Sequence, residues 1–279
     1  MTLINDFETL GQALLELAQD GKKVALVPTM GALHAGHGSL ITTALENADA
    51  VVVSIFVNPT QFAPTEDLDK YPRMLVEDVK FAKKMGAAII YAPSAEDMYP
   101  QDFSTNISAG KISTILCGKY RPGHFDGMAT VVTKLLLRIM PHVAVFGMKD
   151  YQQLCVIERV VENLDIPIEI IAAPTVREAD GLALSSRNRY LSDDERRAAP
   201  LLHNTLLQVA KEMKYSDVAD ALAKGISDLT VSGFKVEYLE LCDGATLEPL
   251  SELEDEARLL VAAWLGKTRL IDNIAVGDS

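Results

Sequence analysis

Two histidines three residues apart, His34 and His37, stand in the stretch "PTMGALHAGHGSL" (28–40), directly after an apolar run. The 279-residue chain holds only five histidines, so the pairing asks for a reason. Neutral or protonated, an imidazole has an N–H to give to an anion. If the stretch is helical, residues three apart share a face, and both rings aim at whatever sits on the turn. Gly31 and Gly36 suit such a turn, and the helix N-terminus beyond it offers unpaired N–H groups and partial positive charge to a phosphate. A zinc pair needs a third ligand and usually a glutamate inside the motif, where this chain has Ala35 and Gly36. Phosphate binding is the preferred reading, a structural pair stays open beside it, and metal is disfavoured.

Four further stretches carry groups suited to the same chemistry. In "SIFVNPTQFAPTEDLDKYPR" (54–73), Asn58 and Gln61 follow a buried run. A glutamine there both donates and accepts, which suits a ligand with a carboxylate and hydroxyls; a loop whose amides satisfy their own backbone explains them equally well. Downstream, Asp67, Asp69, Glu77 and Asp78 look like a solvated face. Asp78 is nevertheless a candidate for Mg²⁺, which takes one or two carboxylates beside phosphate oxygens. "CGKYRPGHFDG" (117–127) offers Arg121 and His124 in a Gly/Pro loop, where Arg121 is either a cleft cation or a surface arginine. "VFGMKDYQQL" (145–154) repeats the strand–turn–helix pattern with Lys149, Asp150 and Gln153; lysine is a good point charge for phosphate, although a Lys–Asp helix cap is the plain alternative. Finally, "VREADGLALSSRNRYLS" (176–192) packs Ser185, Ser186, Arg187 and Arg189 into five residues, a set matched to phosphate oxygens, or else a polar linker with a serine cap. At a domain junction such a segment could close over a ligand.

Composition narrows the class of partner. The formal net charge is −13, which repels nucleic acid as a whole because phosphate-backbone binding needs a broad basic surface. A small anionic substrate remains compatible, provided that a few cations gather locally. Lys149, Arg121 and Arg187, with the histidine pair, answer that demand. No run of about 18 apolar residues occurs, so no membrane span is expected, and the first residues read as an amphipathic helix rather than a secretion leader. Cys117, Cys155 and Cys242 are scattered without metal-type spacing and read as buried or idle thiols of a reducing compartment.

The elements that must position these groups alternate for the first two-thirds of the chain. A helical stripe runs from about Asp6 to Gly21. Strands are expected at 22–28, 48–58, 87–93, 142–147 and 166–174, with helices at 39–47, 75–85, 128–140 and 151–164 between them. The strands are apolar throughout, as when both faces of a parallel sheet are covered. This predicts a doubly wound, Rossmann-like parallel α/β sheet domain over residues 1–175. Beyond it, helices at about 193–213 and 216–230 precede strands at 235–242, 257–266 and 268–276, which predicts a smaller C-terminal α+β domain over 176–279.

With these residues in view, the sequence closely resembles the pantothenate synthetase (pantoate–β-alanine ligase) family. The resemblance rests on "PTMGALHAGH", "FVNPTQF", "DLDKYPR", "RPGHFDG", "FGMKDYQQL" and "DGLALSSRN" in the family's order, and it covers nearly the whole chain. The histidine motif and the Ser-Ser-Arg stretch also resemble the ATP signatures of class I aminoacyl-tRNA synthetases and related nucleotidylyltransferases. The resemblance implies ATP and Mg²⁺, pantoate and β-alanine as small-molecule partners, a pantoyl-adenylate intermediate, a cytoplasmic location and a homodimer. It assigns His34 and His37 to the α- and β-phosphates, with Gly36 in the same turn, Lys149 to the phosphate charge, and Ser185, Ser186 and Arg187 to the outer phosphates. Gln61 and Gln153 map to pantoate, with Met30 and Tyr71 lining its side and Asn58 and Arg121 in the acid and amine region. Asp150 maps to the ribose, Asp78 to Mg²⁺, and Phe146, Gly147, Val176 and Leu184 to the adenine. Ala35, Gly38, Met148 and Leu184 depart from the commonest family pattern, but none removes a charged donor. Two alternatives are a nucleotidylyltransferase or adenylate-forming ligase for another acid, and a nucleotide sensor without turnover. The charge and the lack of a basic RNA-binding segment disfavour a tRNA synthetase.

Overall fold

The computed structural model describes residues 1–63 and 68–276, so Asp67 of the acidic stretch lies outside the described residues. Two compact units form: residues 1–148 with 156–174, and residues 149–155 with 175–279. A linear cut after residue 175 does not anticipate that 149–155 groups with the C-terminal part.

The first unit is a six-stranded parallel sheet. Its strands are β1 (Thr2–Ile4), β2 (Val24–Thr29), β3 (Ala50–Ile55), β4 (Ile89–Tyr91), β5 (Val143–Gly147) and β6 (Glu169–Ala173), in the order β1-β4-β3-β2-β5-β6. The connecting helices are α1 (Phe7–Gln19), α2 (Ala35–Asn47), α3 (Leu75–Lys84), the short α4 (Ala95–Met98) and α5 (Cys117–Tyr120), α6 (His124–Ile139) and α7 (Tyr151–Asn163). Both faces of the sheet are buried. Val27, Val51, Val53, Ile90 and Val145 pack with Ile41 and Ala44 of α2 on one side, and α6 lies against β2 on the other. This burial explains why the strands read as unbroken apolar runs, and the expected doubly wound parallel sheet is what forms.

Two local expectations need correction. Residues 2–4 precede the helix as edge strand β1, parallel to β4 with Thr2 opposite Ile89; three residues are too few to show a period. Helix α2 starts at Ala35, four residues before its apolar stripe, because its first turn is polar and capped.

Chain order reverses between β2 and β5. Ligands of open α/β sheets bind outside the carboxyl ends of the strands at such a switch point. Strand β2 pairs with β3 to its end, Thr29 opposite Ile55, but with β5 only at Ala25–Val143 and Leu26–Ala144. Toward their carboxyl ends β2 and β5 therefore part.

The second unit carries the three expected strands, β7 (Phe234–Cys242), β8 (Arg258–Leu265) and β9 (Thr268–Ala275), and they pair as an antiparallel sheet. Helices α8 (Asp193–Ala198), α9 (Leu201–Glu212) and α10 (Val218–Val231) accompany it, and Leu202, Leu206, Val209, Leu229, Leu239, Leu259 and Val261 share one core. The single helix expected over 193–213 is divided at Pro200, which caps α9 and has no N–H to continue α8.

Candidate active site

The turn after β2 is built around its histidines. Thr29 Oγ1 donates to the Ser54 carbonyl (2.8 Å) and accepts the Gly31 N–H (3.2 Å), tying the turn to β3. Gly31 has φ +84°, and a Cβ there would sit 2.9 Å from Asp78 Oδ2 and 3.2 Å from Ile55 Cγ2, so only glycine fits without displacement. Ala32 follows at φ +52°, an uncommon left-handed conformation for a residue with a Cβ. Its N–H donates to Asp78 Oδ2 (2.9 Å), and the Leu33 N–H donates to Asp78 Oδ1 (2.7 Å).

His34 then caps α2. Its Nδ1 accepts the Gly36 N–H (3.1 Å), while His37 Nδ1 accepts the His34 N–H (3.3 Å), and the ring centroids lie 4.2 Å apart. The rings meet because His34 is the cap and His37 stands in the first turn, rather than by sharing a helical face. A ring nitrogen that accepts an N–H carries no proton, so each neutral imidazole holds its proton on Nε2. Capping therefore makes Nε2–H the donor on both rings. The structural and the anion-binding readings of the pair are compatible: the first sets up the second.

A second cluster surrounds Gln61. Asn58, 1% exposed, donates from Nδ2 to Gln61 Oε1 (3.0 Å) and to the Gly127 carbonyl (3.1 Å), and accepts the Tyr99 hydroxyl on Oδ1 (2.8 Å). With its oxygen so occupied, Gln61 presents Nε2 as donor, 3.2 Å from Met30 Sδ. A Cβ at Gly127 would lie 2.3 Å from the Thr60 carbonyl, so glycine lets α6 approach this loop. His124 Nδ1 lies 2.8 Å from the Gln61 carbonyl, which can only accept; Nδ1 is thus protonated, and Nε2 accepts from Arg121 Nη1 at 2.9 Å. Tyr71 is buried edge-on against Phe62. The expected Met30, Asn58, Gln61 and Tyr71 thus lie on the loops that follow β2 and β3, and Arg121 joins them through His124. Tyr99, which holds Asn58, carries no sequence signal beyond its type, whereas His124, which holds Arg121, stands in the Gly/Pro loop already noted.

At the end of β5 the Phe146 side chain is buried in the core, and Phe146 and half-buried Gly147 stand opposite Ala172 and Ala173 of β6. A Cβ at Gly38 would stand 3.2 Å from Phe81 Cζ and 3.3 Å from Met85 Cε, side chains that already fill the space.

The second unit holds the remaining candidates. Lys149 Nζ lies 3.5 Å from exposed Asp150 Oδ2, and Gln153 is half-buried on α7. The Lys149 carbonyl accepts from Asn273 Nδ2 (3.0 Å); Asn273 Oδ1 accepts from Arg258 Nη1 (2.5 Å), and Arg258 stacks 3.8 Å over the Tyr151 ring. The Val176 carbonyl accepts the Leu184 N–H (3.0 Å), closing a hairpin in which Arg177 makes a two-pronged pair with Asp272 (2.6 and 2.9 Å). Ser185 caps the 3₁₀ turn Ser186–Tyr190 by accepting the Arg187 N–H (3.2 Å), so one of the two expected hydroxyls shapes the loop. Burial by itself would raise the Asp272 carboxyl, but the contacts of His203 and Arg177 and the charge of Arg177 outweigh it and hold the pKa below the ordinary value. Arg258, Asp272 and Asn273 show no sequence signal because strand residues far along the chain have no local pattern of purpose, and Arg177 stands unmarked beside the serine–arginine stretch.

The metal candidate does not fit. Both Asp78 oxygens already serve backbone N–H groups, the residue is 3% exposed, and Mg²⁺ usually keeps several waters that need space. Among the described residues no three His, Cys, Asp or Glu side chains gather as a metal group. All three cysteines are buried and unpaired by disulfides, and burial pushes the Cys242 thiol up to about 12. Among the described residues no helix is long and apolar enough to cross a membrane.

Comparison with known proteins adds an independent line. The family model for pantoate-beta-alanine ligase matches residues 2–275. Pantothenate synthetase of Rhodospirillum rubrum is 56% identical over 260 residues, covering 92% of each chain. The crystal structure of pantothenate synthetase from Thermus thermophilus aligns with a TM-score of 0.94 at 43% identity, over the full length of both chains. Pantoate-beta-alanine ligase from Francisella tularensis, solved in complex with beta-gamma ATP and beta-alanine, aligns with a TM-score of 0.84 at 35% identity, over 100% of this chain and 99% of that one.

Proposed function

The chain belongs to the pantoate-beta-alanine ligase family, and from that premise we propose how its residues carry out the ligation. The carboxylate of pantoate attacks the α-phosphorus of ATP, the bond to the β-phosphate oxygen breaks, and pyrophosphate leaves. The amine of β-alanine then attacks the acyl carbon of the pantoyl-adenylate, losing a proton as AMP departs with the acyl C–O electrons. The ATP and beta-alanine of the Francisella tularensis relative's complex support both substrates.

Both steps gather negative charge on oxygen, and fixed donors lower that cost without a protein nucleophile. The observation that carries the reading is the capping of α2 by His34 and His37, which puts the proton of each neutral ring on Nε2, at a helix N-terminus beside the switch point. His34 and His37 donate to the α- and β-phosphates, with Gly36 allowing close approach. Lys149 supplies point charge, and Ser186 and Arg187 hold the outer phosphates on a turn shaped by Ser185. Gln61, oriented by Asn58, takes pantoate with Gln153, against Met30 and Tyr71; Arg121, held by His124, attracts the carboxylate substrates. Asp150 accepts from the ribose, and the backbone of Phe146 and Gly147, with Val176 and Leu184, receives the adenine.

Magnesium enters this reading only as the ion that a triphosphate brings on its own oxygens. The family likeness also supports a cytoplasmic homodimer, which sedimentation of the purified chain reads directly.

Pyrophosphate exchange into ATP tests the proposal. With pantoate and no β-alanine, exchange is expected, followed by AMP release when β-alanine is added. Exchange with another acid and none with pantoate would overturn the substrate; no exchange with any acid would overturn the adenylate.

A further inference from the structure

Asp78 is buried on α3, far in sequence from the turn it touches, and its two oxygens accept the N–H groups of two successive residues of that turn, Ala32 and Leu33. We infer that Asp78 is a positioning residue for adenylation, the clamp that fixes the turn bearing His34 and His37, and that it is no ligand for a metal. The inference rests on the proposed reading of that turn as the seat of the triphosphate.

Three observations carry it. First, the contacts are directional and paired: Oδ2 to Ala32 N at 2.9 Å, and Oδ1 to Leu33 N at 2.7 Å, within the range for charge-assisted bonds to a carboxylate. Second, the clamped backbone is strained, since Ala32 sits at φ +52° and such a conformation persists only where the surroundings over-determine it. Thr29 holds the turn at Gly31 and Asp78 holds it at Ala32 and Leu33, so the carboxylate reaches the residue before His34. Third, the fit is close: the site of a Gly31 Cβ falls 2.9 Å from Asp78 Oδ2, so glycine at 31 and aspartate at 78 are complementary choices. A divalent ion drawn to this carboxylate would compete with both N–H groups for its charge, at a residue only 3% exposed.

Asp78→Asn keeps the shape but turns one acceptor into an NH₂ facing an N–H. We expect the kcat of pantoate-dependent pyrophosphate exchange, per folded molecule, to fall at least about tenfold, with the half-saturating Mg²⁺ concentration unchanged within about twofold. A rise of about tenfold or more in the Mg²⁺ requirement, with kcat recovered at high Mg²⁺, would overturn the inference in favour of a metal ligand. An unchanged kcat would overturn it as an idle contact. Should the variant fail to fold, the wild-type protein still decides: the Ala32 and Leu33 amides are expected to be strongly protected from hydrogen exchange, equally with and without Mg²⁺ and ATP. Fast exchange of either amide, or loss of protection on adding Mg²⁺, would sink the clamp. If the wild type gives no pantoate-dependent exchange, the proposed function fails, while amide protection still judges the clamp by itself.

Discussion

The Nδ1 atom of His37 accepts the backbone N–H of His34 at 3.3 Å. One ring thus caps the residue that carries the other, and the pair determines its own tautomers. In neutral rings the protons sit on Nε2, so ¹⁵N NMR at neutral pH should show the Nε2–H form for both. Replacing His37 by alanine should slow pantoate-dependent pyrophosphate exchange by at least about 10²-fold, the usual scale for losing one transition-state donor. Near-normal exchange would remove His37 from the chemistry.

Lys149→Ala should cost a similar factor, about 10². Asn273→Ala leaves the Lys149 side chain intact but orphans the Lys149 carbonyl and an Arg258 donor. Denaturant melts should register a loss of about 2 kcal/mol. A melt that matches the parent protein would mean that the Asn273 bridge contributes nothing.

Asn58→Asp is isosteric but removes the N–H groups given to Gln61 Oε1 and the Gly127 carbonyl. The cost of such a buried mismatch, about 1–3 kcal/mol, should appear as a pantoate KM raised roughly 10-fold or more, with the KM for ATP little moved. Equal pantoate KM values would detach Asn58 from Gln61.

Arg187→Lys keeps the charge and loses the planar fork. Steady-state rates should drop if the fork geometry serves the outer phosphates; rates equal to the parent would reduce Arg187 to a point charge.

Asp272→Asn breaks a two-pronged pair with Arg177 whose carboxylate is buried, which should cost about 3 kcal/mol at neutral pH. Because the folded pKa is lowered, this stabilisation is present above the ordinary carboxyl pKa and is lost as pH falls through the folded value. Parent and variant melting curves should therefore converge below about pH 4. A gap that widens in acid would contradict the sign of the shift.

How much of this was legible in advance can be judged at particular residues. The apolar strands, the doubly wound sheet and the existence of the three C-terminal strands followed from local patterning, because a strand buried on both faces must be apolar and a helix must turn one stripe inward; the antiparallel pairing of β7–β9 did not. The donor types at His34, His37, Gln61, Lys149 and Arg187 were equally visible, since their chemistry is a property of the side chain. The sequence missed strand β1, whose three residues carry no period, and misread Asp78, which follows a run of exposed residues while its partners lie 46 and 45 residues away.

Residue identity and period thus decided which groups were present and which elements would carry them. Only the tertiary structure decided what each group does: that two histidines accept backbone N–H groups on Nδ1, that Asn58 fixes the Gln61 amide, that Asp78 holds a backbone turn. Hydrogen-bond roles depend on which atom faces which, and that is settled by contacts between segments that no local spacing encodes.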